Sequence, residues 1–343
     1  MQSKSLLAFS LASMLTGTLA ACGGSNGLSE RSAALPNDGR ARAASSQLDL
    51  FVEGFTQITE YTLDGQLVRT ITDGFTTRGT STGALALDGA GYLYAITSDF
   101  TIGVYAPSSR RFVRTIRTGV GWPYALVADA RGDLYVANGE SNTVAVYPPG
   151  GSSPSLTIAQ GINDPASIAL DSHGNLYVAN LFGNTVTVYG PDGSLLRTIT
   201  SAVVGPEAVA LDKKDDLIVG DADLGYGQSV SVYAPPNDTL VRVLRQGIWA
   251  PWAVTADPRR IYVSNANKGT VTEYGADRGK LVRKLRVNGE PGGVLLDAAN
   301  NLYVGCYTEP SGQVQIYAPG ATSPKLTISN GIAQPLALAL GPP

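Results

Sequence analysis

The chain has 343 residues, with 25 Lys and Arg against 28 Asp and Glu, a net charge of −3 and an isoelectric point near 5.3. Charged residues are only 15%, hydrophobic residues are 43%, and Gly contributes 40 positions, so a disordered chain is excluded by composition. No basic run is available to engage a phosphate backbone, which argues against a nucleic-acid partner.

Met1-Gln2-Ser3-Lys4 carries one positive charge, and Leu6 to Leu19 is apolar and small. That stretch has the length of a signal-peptide core and is too short to span a bilayer. It ends in Leu19-Ala20-Ala21-Cys22-Gly23. This segment resembles the lipobox of bacterial lipoproteins, which implies cleavage before Cys22 and lipidation of its thiol. Residues 1–21 are then the lipoprotein signal peptide. Gly23 follows the Cys rather than Asp, which implies the outer membrane of a Gram-negative cell. Cys22 and Cys306 are the two cysteines, and a lipidated Cys22 leaves Cys306 without a disulfide partner. Residues 22–47 read as the lipidated Cys and a flexible Gly/Ser/Ala tether, which holds a domain roughly 25–30 Å from its anchor.

Residues 48–343 carry a seven-fold repeat. The strand that reads Leu-Tyr-Val-Ala-Asn recurs from Leu50, Leu93, Leu134, Leu176, Leu217, Ile261 and Leu302. Each unit has four short runs of strand character separated by Gly, Pro, Asn and Asp. Calling these a, b, c and d, strand c ends in Tyr61, Tyr105, Tyr147, Tyr189, Tyr233, Tyr274 and Tyr317. A four-stranded repeat of about 42 residues predicts an all-β, seven-bladed β-propeller with antiparallel blades. The taper agrees, because the first core position of strand a is small in every unit: Ala84, Ala125, Ser167, Ala208, Ala253, Gly293 and Ala337. The chain starts on a b strand and ends on an a strand, so the C-terminal strand must join the N-terminal blade to close the ring. Deleting the last eight residues is expected to open it.

The segments Asp129–Asn138 and Asp171–Asn180 resemble NHL repeats, and the units are similar to those of virginiamycin-lyase-like and gluconolactonase-like bacterial propellers. The resemblance covers residues 48–341 and implies the fold; these folds host binding modules and enzymes alike.

Six a strands end in Asp (Asp88, Asp129, Asp171, Asp212, Asp257, Asp297), where a carboxylate nucleates the a–b turn. The single His173 falls in one such turn without an evident oriented partner. Strand b ends in Asn138, Asn180, Asp221 and Asn265. Gluconolactonase-like enzymes hold a divalent cation at the channel mouth with such residues, so the resemblance implies a Ca²⁺ or Mg²⁺ set here, with Glu207 to complete it. Local loop bonding is the preferred reading, and no cofactor is then expected. The outer-strand arginines Arg69, Arg114, Arg197, Arg242 and Arg283 read as a solvated edge.

The loops are asymmetric. The d–a and b–c loops leave one face of the ring and carry Phe55, Phe75, Phe100, Trp122, Tyr124, Phe182, Tyr226, Trp249, Trp252 and Tyr307. The residue leading into strand a varies most: Gly83, Tyr124, Ala166, Glu207, Trp252, Gly292 and Leu336. A fixed frame with variable side chains is how a repeat scaffold builds a binding surface, and Trp and Tyr suit such surfaces. Trp122, Tyr124, Glu207, Trp249, Trp252, Phe182, Tyr226 and Tyr307 are the candidate ligand residues, with the tryptophans and Tyr124 expected around the channel mouth. The sequence thus reads as a monomeric, lipid-anchored envelope module. It meets the membrane through its lipid and takes a small-molecule, glycan or protein ligand; the alternative is a cation-dependent lactonase or lyase.

Overall fold

The computed structural model describes residues 48–76, 83–222, 228–308 and 311–343. Cys22, the leader and the tether lie outside the described residues, as does Tyr226. The rest forms seven sheets of four antiparallel strands, numbered β1–β28 in chain order. The innermost strands are β4 (Leu85–Leu87), β8 (Pro123–Ala128), β12 (Pro165–Leu170), β16 (Pro206–Leu211), β20 (Pro251–Asp257), β24 (Glu290–Leu296) and β28 (Ala337–Gly341). Each packs on the next, and β28 packs on both β24 and β4, so the seven form a closed ring. The fold is a seven-bladed β-propeller.

Blade 1 takes β28 as its inner strand, paired antiparallel with β1 (Asp49–Glu53) from Asp49↔Gly341 to Glu53↔Ala337. Each sequence repeat therefore straddles two blades. The closure carries a polar latch. Arg110, in the c–d loop of blade 2, donates to the carbonyls of Gly91 (2.7 Å) and Pro342, and lies over the Phe51 ring at 4.6 Å. Its guanidinium is 3.7 Å from Glu60, which also pairs with Arg69 at 2.8 Å. Burial pushes the Glu60 carboxyl upward against the pull of these two arginines.

Packing follows from strand alternation. Both faces of strands a and b meet a neighbouring blade, so both are buried: Leu134 to Asn138 and Leu176 to Asn180 are closed to solvent throughout. The small-then-large pattern of strand a is buried in every blade, from Ala125–Leu126 to Ala337–Leu338. Each buried aliphatic contributes roughly 1.5–3 kcal/mol. The strand-c tyrosines are buried too, and six donate their hydroxyls to a carbonyl of the incoming d–a crossover: Tyr61 to Asn330, Tyr105 to Asp73, Tyr147 to Thr118, Tyr189 to Gln160, Tyr233 to Ser201 and Tyr274 to Gln246. Tyr317 instead donates to Gln315 Oε1.

The outer arginines are not a solvated edge, which corrects the expectation above. Each reaches the c–d loop of the following blade: Arg69 to the Ser109 carbonyl (2.7 Å), Arg114 to Gly151 (3.2 Å), Arg197 to the Asp238 carboxylate, Arg242 to Ala276 and Arg283 to Ala321. The two remaining blades place Leu156 and Leu326 there. These pack on Gly193 and Gly65 so closely that a methyl group would come within 2.8 Å and 3.2 Å of their Cδ2 atoms. Every blade thus clasps its successor on this face, five by cation and two by leucine.

Candidate functional site

The two loop faces are built differently. On the a–b side, the six aspartates do one job: Oδ1 of Asp88, Asp129, Asp171, Asp212 and Asp297 accepts the amides two and four residues on, and Asp257 accepts those of Arg259 and Arg260. This is the turn-nucleating role of a repeated Asp. His173 sits exposed here, its Nδ1 3.2 Å from Ser172 Oγ and 3.7 Å from Asp215, while Ser172 Oγ donates to Asp215 at 2.6 Å.

On the opposite side, the strand-b ends hold the d–a crossovers. Asn138 Oδ1 accepts from Gly121 N (3.0 Å), Asn180 from Asn163 N (3.1 Å), Asp221 from Val204 N (3.1 Å) and Asn265 from Trp249 N (2.8 Å). The next amide of three crossovers is held by the preceding blade: Asp164 N by Asn142 (2.6 Å), Gly205 N by Asn184 (2.7 Å) and Ala250 N by Gln228 (2.5 Å). Two adjacent amides are thus gripped from two blades. The four strand-b side chains are at most 2% exposed. Three give their amide groups to hydroxyls and carbonyls of their own blade, and Asp221 accepts from Ser229. They are crossover anchors, each satisfied locally. Among the described residues, no group of three or more His, Cys, Asp and Glu comes together. Asp221 stands where its counterparts are Asn, and burial pushes its carboxyl up to about 7.

The anchored crossovers present the variable side chains through a backbone irregularity. In β8, β12, β16 and β20 the register on strand b jumps between the Pro and the residue two further on, leaving Tyr124, Ala166, Glu207 and Trp252 as the extra residue. In β24 the jump spans Gly292 and Gly293. A β-bulge re-aims the side chain it carries and recurs next to binding sites. The residue before the Pro pays in backbone conformation: Trp122 (φ 51°), Asp164 (52°), Gly205 (56°) and Ala250 (45°) are left-handed. The grip of two blades on each crossover over-determines that geometry.

Tyr124, Glu207 and Trp252, on these inner strands, are half-buried. Tyr124 lies so close over Gly139 that a methyl group there would meet its ring at 2.0 Å. Trp252 packs against the core between blades 6 and 7. Glu207 has no ion pair or hydrogen bond among the described residues, and burial alone pushes its carboxyl up to about 7. Tyr307 accepts a hydrogen bond from Gln334 at 3.2 Å.

Trp122 and Trp249 precede the Pro that opens strand a and lie outside the inner strands. They stand on the crossover tips, 41% and 50% exposed, over the b–c loops. Trp122 stacks on Phe100 with centroids 4.2 Å apart, and Trp249 carries Lys268 Nζ 4.3 Å above its ring. Phe182, in the b–c loop of blade 4, is 59% exposed. The face therefore has an inner tier of bulge residues and an outer tier of exposed aromatics. Cys306 is buried, its thiol pushed up to about 12 by burial, so it is no ready nucleophile.

Taken together, the closed ring of four-stranded blades and a face of anchored, variable loops define a β-propeller scaffold of the kind used for binding or catalysis. The fold is similar to that of a chain of hydrazine synthase from Kuenenia stuttgartiensis, with a TM-score of 0.61 at 19% identity, covering 71% of this chain and 79% of that one. No protein-family model matches the sequence, and no curated protein does either.

Proposed function

We propose that this protein is a lipid-anchored, NHL-like binding module of the cell envelope, with its ligand site on the crossover face. The observation that carries the reading is the β-bulge. The position most variable in sequence is the one the backbone bulges out beside the axis. The neighbouring amides are clamped, so the frame is rigid while the side chain is free to differ. Tyr124 and Trp252 supply apolar area, Glu207 supplies one carboxyl, and Trp122, Trp249 and Phe182 extend the surface outward. Rigid aromatics give contact area at low entropic cost. The lipobox at Cys22 supplies the anchor, and the tether sets the reach.

The test is a glycan and peptide library screen of the purified chain, repeated with Trp252→Phe, Glu207→Gln and Trp249→Ala. A ligand whose binding falls at least tenfold in one of these variants, with the urea midpoint of that variant unchanged, supports the site. Ligands that bind all variants equally refute it. Anchoring is tested separately with Cys22→Ser, which should abolish lipidation and change the processing of the precursor; unchanged, membrane-bound protein would rule the lipobox out.

A further inference from the structure

The crossover from blade 6 to blade 7 breaks the pattern of the others. Between the last core residue of strand d and the Pro of strand a it has five residues, Arg286 to Glu290, where Arg117–Trp122, Ala159–Asp164, Thr200–Gly205 and Arg245–Ala250 have six. Gly269 replaces the residue that Asn142, Asn184 and Gln228 use to grip the outgoing crossover, and its carbonyl instead accepts from Val287 N at 3.0 Å. Cys306 stands where the Asn anchors stand. The Tyr317 hydroxyl, turned onto Gln315, leaves this crossover, which Gln313 and Gln315 hold instead.

A groove of about 490 Å³ opens at this place, lined by Lys268, Gly269, Thr270, Lys284, Arg286, Val287 and Gly289. Two of its three cations, Lys268 and Lys284, are not features of the repeat, whereas Arg286 has counterparts in Arg117 and Arg245. The position of Lys284 is Thr70, Thr115, Thr157, Thr198 and Thr327 in five blades and Val243 in the sixth. Lys284 and Arg286 are two residues apart on β23 (Leu281–Arg286), so they share one face of the strand about 7 Å apart. Like charges at that spacing repel, yet no acidic partner among the described residues answers them. Among the described residues none of the three makes an ion pair, and Lys284 and Arg286 make no side-chain hydrogen bond. Lys268 ends a 3₁₀ turn (Ala266–Lys268), and its contact is with the Trp249 ring. Thr270, only 6% exposed and lining the same groove, leaves Oγ1 buried without a hydrogen-bond partner. The corresponding Thr143 and Thr185 hydroxyls accept from Asn138 and Asn180.

We propose that this groove is a binding site for a phosphate-type oxyanion, held by Lys268, Lys284 and Arg286 at the edge of the aromatic face. Three positive charges answer a dianion better than a single carboxylate. The Arg fork matches two phosphate oxygens and the ammonium groups supply further donors. The anion relieves the repulsion between Lys284 and Arg286. The site does not depend on the central face being a ligand site.

The experiment is calorimetric titration of the purified full chain, at fixed ionic strength, with inorganic phosphate and with glycerophosphoglycerol, the headgroup of an anionic phospholipid without its chains. The parent is expected to bind saturably at one site. A Lys284→Gln/Arg286→Gln variant should bind at least tenfold more weakly while keeping the parent's urea midpoint, since both side chains are exposed. Tighter binding of phosphate assigns a free or terminal phosphoryl group; tighter binding of the diester assigns a lipid headgroup. No saturable binding of either probe, or equal binding by the double variant, overturns the proposal.

Discussion

The two faces of this propeller use the same repeat for opposite ends. On the a–b/c–d face, the repeated residue is the working residue: the turn aspartates and the outer-strand Arg or Leu make the same contacts blade after blade. On the other face the repeated residues Asn138, Asn180, Asp221 and Asn265 are hidden, and the strand-a entry residues that are partly exposed, Tyr124, Glu207 and Trp252, differ from blade to blade. Uniformity marks the fold, and variation on a clamped backbone marks the proposed binding surface. The crossover from blade 6 to blade 7 sharpens the contrast, because there even the hidden frame changes.

The comparison breaks most completely if the ring is opened. Deleting residues 336–343 removes β28, and blade 1 loses its inner strand while β1 exposes a row of unpaired backbone groups. The variant is expected to lose its cooperative urea transition; a sharp transition at the parent's midpoint would refute the closure. Arg110→Met is a milder form of the same break. It leaves Glu60 buried with Arg69 as its remaining ion-pair partner and frees the Pro342 carbonyl, at a cost of about 3 kcal/mol. Restoration by a second change, Glu60→Leu, would show that the loss came from the stranded charge.

The hidden anchors come next. Asn180→Ala leaves the Asn163 amide without its acceptor and two hydroxyls without a donor. A loss of about 1–3 kcal/mol is expected, read as a lower urea midpoint with unchanged slope. At exposed Asn184, whose φ of 51° is left-handed and open to Gly, Asn184→Gly removes one bond, to Gly205 N, and should cost about 1 kcal/mol or less. Equal losses would contradict the assignment of Asn180 as the anchor.

The propeller was legible in the sequence because its signals are local and periodic. The spacing of the Leu-Tyr-Val-Ala strands counts the blades, the alternation at Ala125–Leu126 and its kin shows the taper, and the phase of the last strand gives the closure. The turn role of Asp129 was legible for the same reason, since its partners lie within four residues. What joins residues some 20–40 positions apart was not. Arg69 on Ser109 and Asn142 on Asp164 depend on the reach of a side chain across a blade boundary, which a periodic pattern does not encode. Asn138 and its counterparts offered the right oxygens for a cation, but burial and backbone partners decide how such oxygens are used. The inner tier was visible as variable positions, while the bulge that separates Trp252 from Trp249 was not. The cations of the groove did carry a signal, the break in a run of Thr at Lys284, which is visible once strand d is aligned blade by blade.

Asp221 tests the frame by restoring it. Its carboxyl holds its proton up to about 7 because of burial, whereas in the unfolded chain it releases it near ~4. Between these values the folded state binds more protons than the unfolded state. Stability from this group is therefore full at low pH and is lost as pH rises through 7. Asp221→Asn has no proton to lose. Its amide can donate toward Ser229 and Ser231, as Asn180 donates to Thr185 and Thr187. The gain should be absent near pH 4 and reach about 1–2 kcal/mol above pH 7. Glu207 is raised by burial in the same direction, so the slope that remains in the variant should become shallower on adding Glu207→Gln. A gain independent of pH would refute the electrostatic account.

The smallest effect is expected where the surface is freest. Trp249 is half exposed, and it is held on the frame by its backbone amide on Asn265 rather than by its ring. The ring's recorded contact is with Lys268, an exposed cation–π pair worth about 0.5–1 kcal/mol. Trp249→Ala should therefore lower stability by about 0.5 kcal/mol, near the limit of a urea melt. Trp252→Ala, cut from the core between blades 6 and 7, leaves a cavity and should cost several times as much, about 2–3 kcal/mol, since the ring is only half-buried. The pair separates the two tiers without any ligand in hand. If Trp249→Ala were as costly as Trp252→Ala, the outer ring would be core rather than surface, and the division of the face into frame and free side chain would fail at its most exposed point.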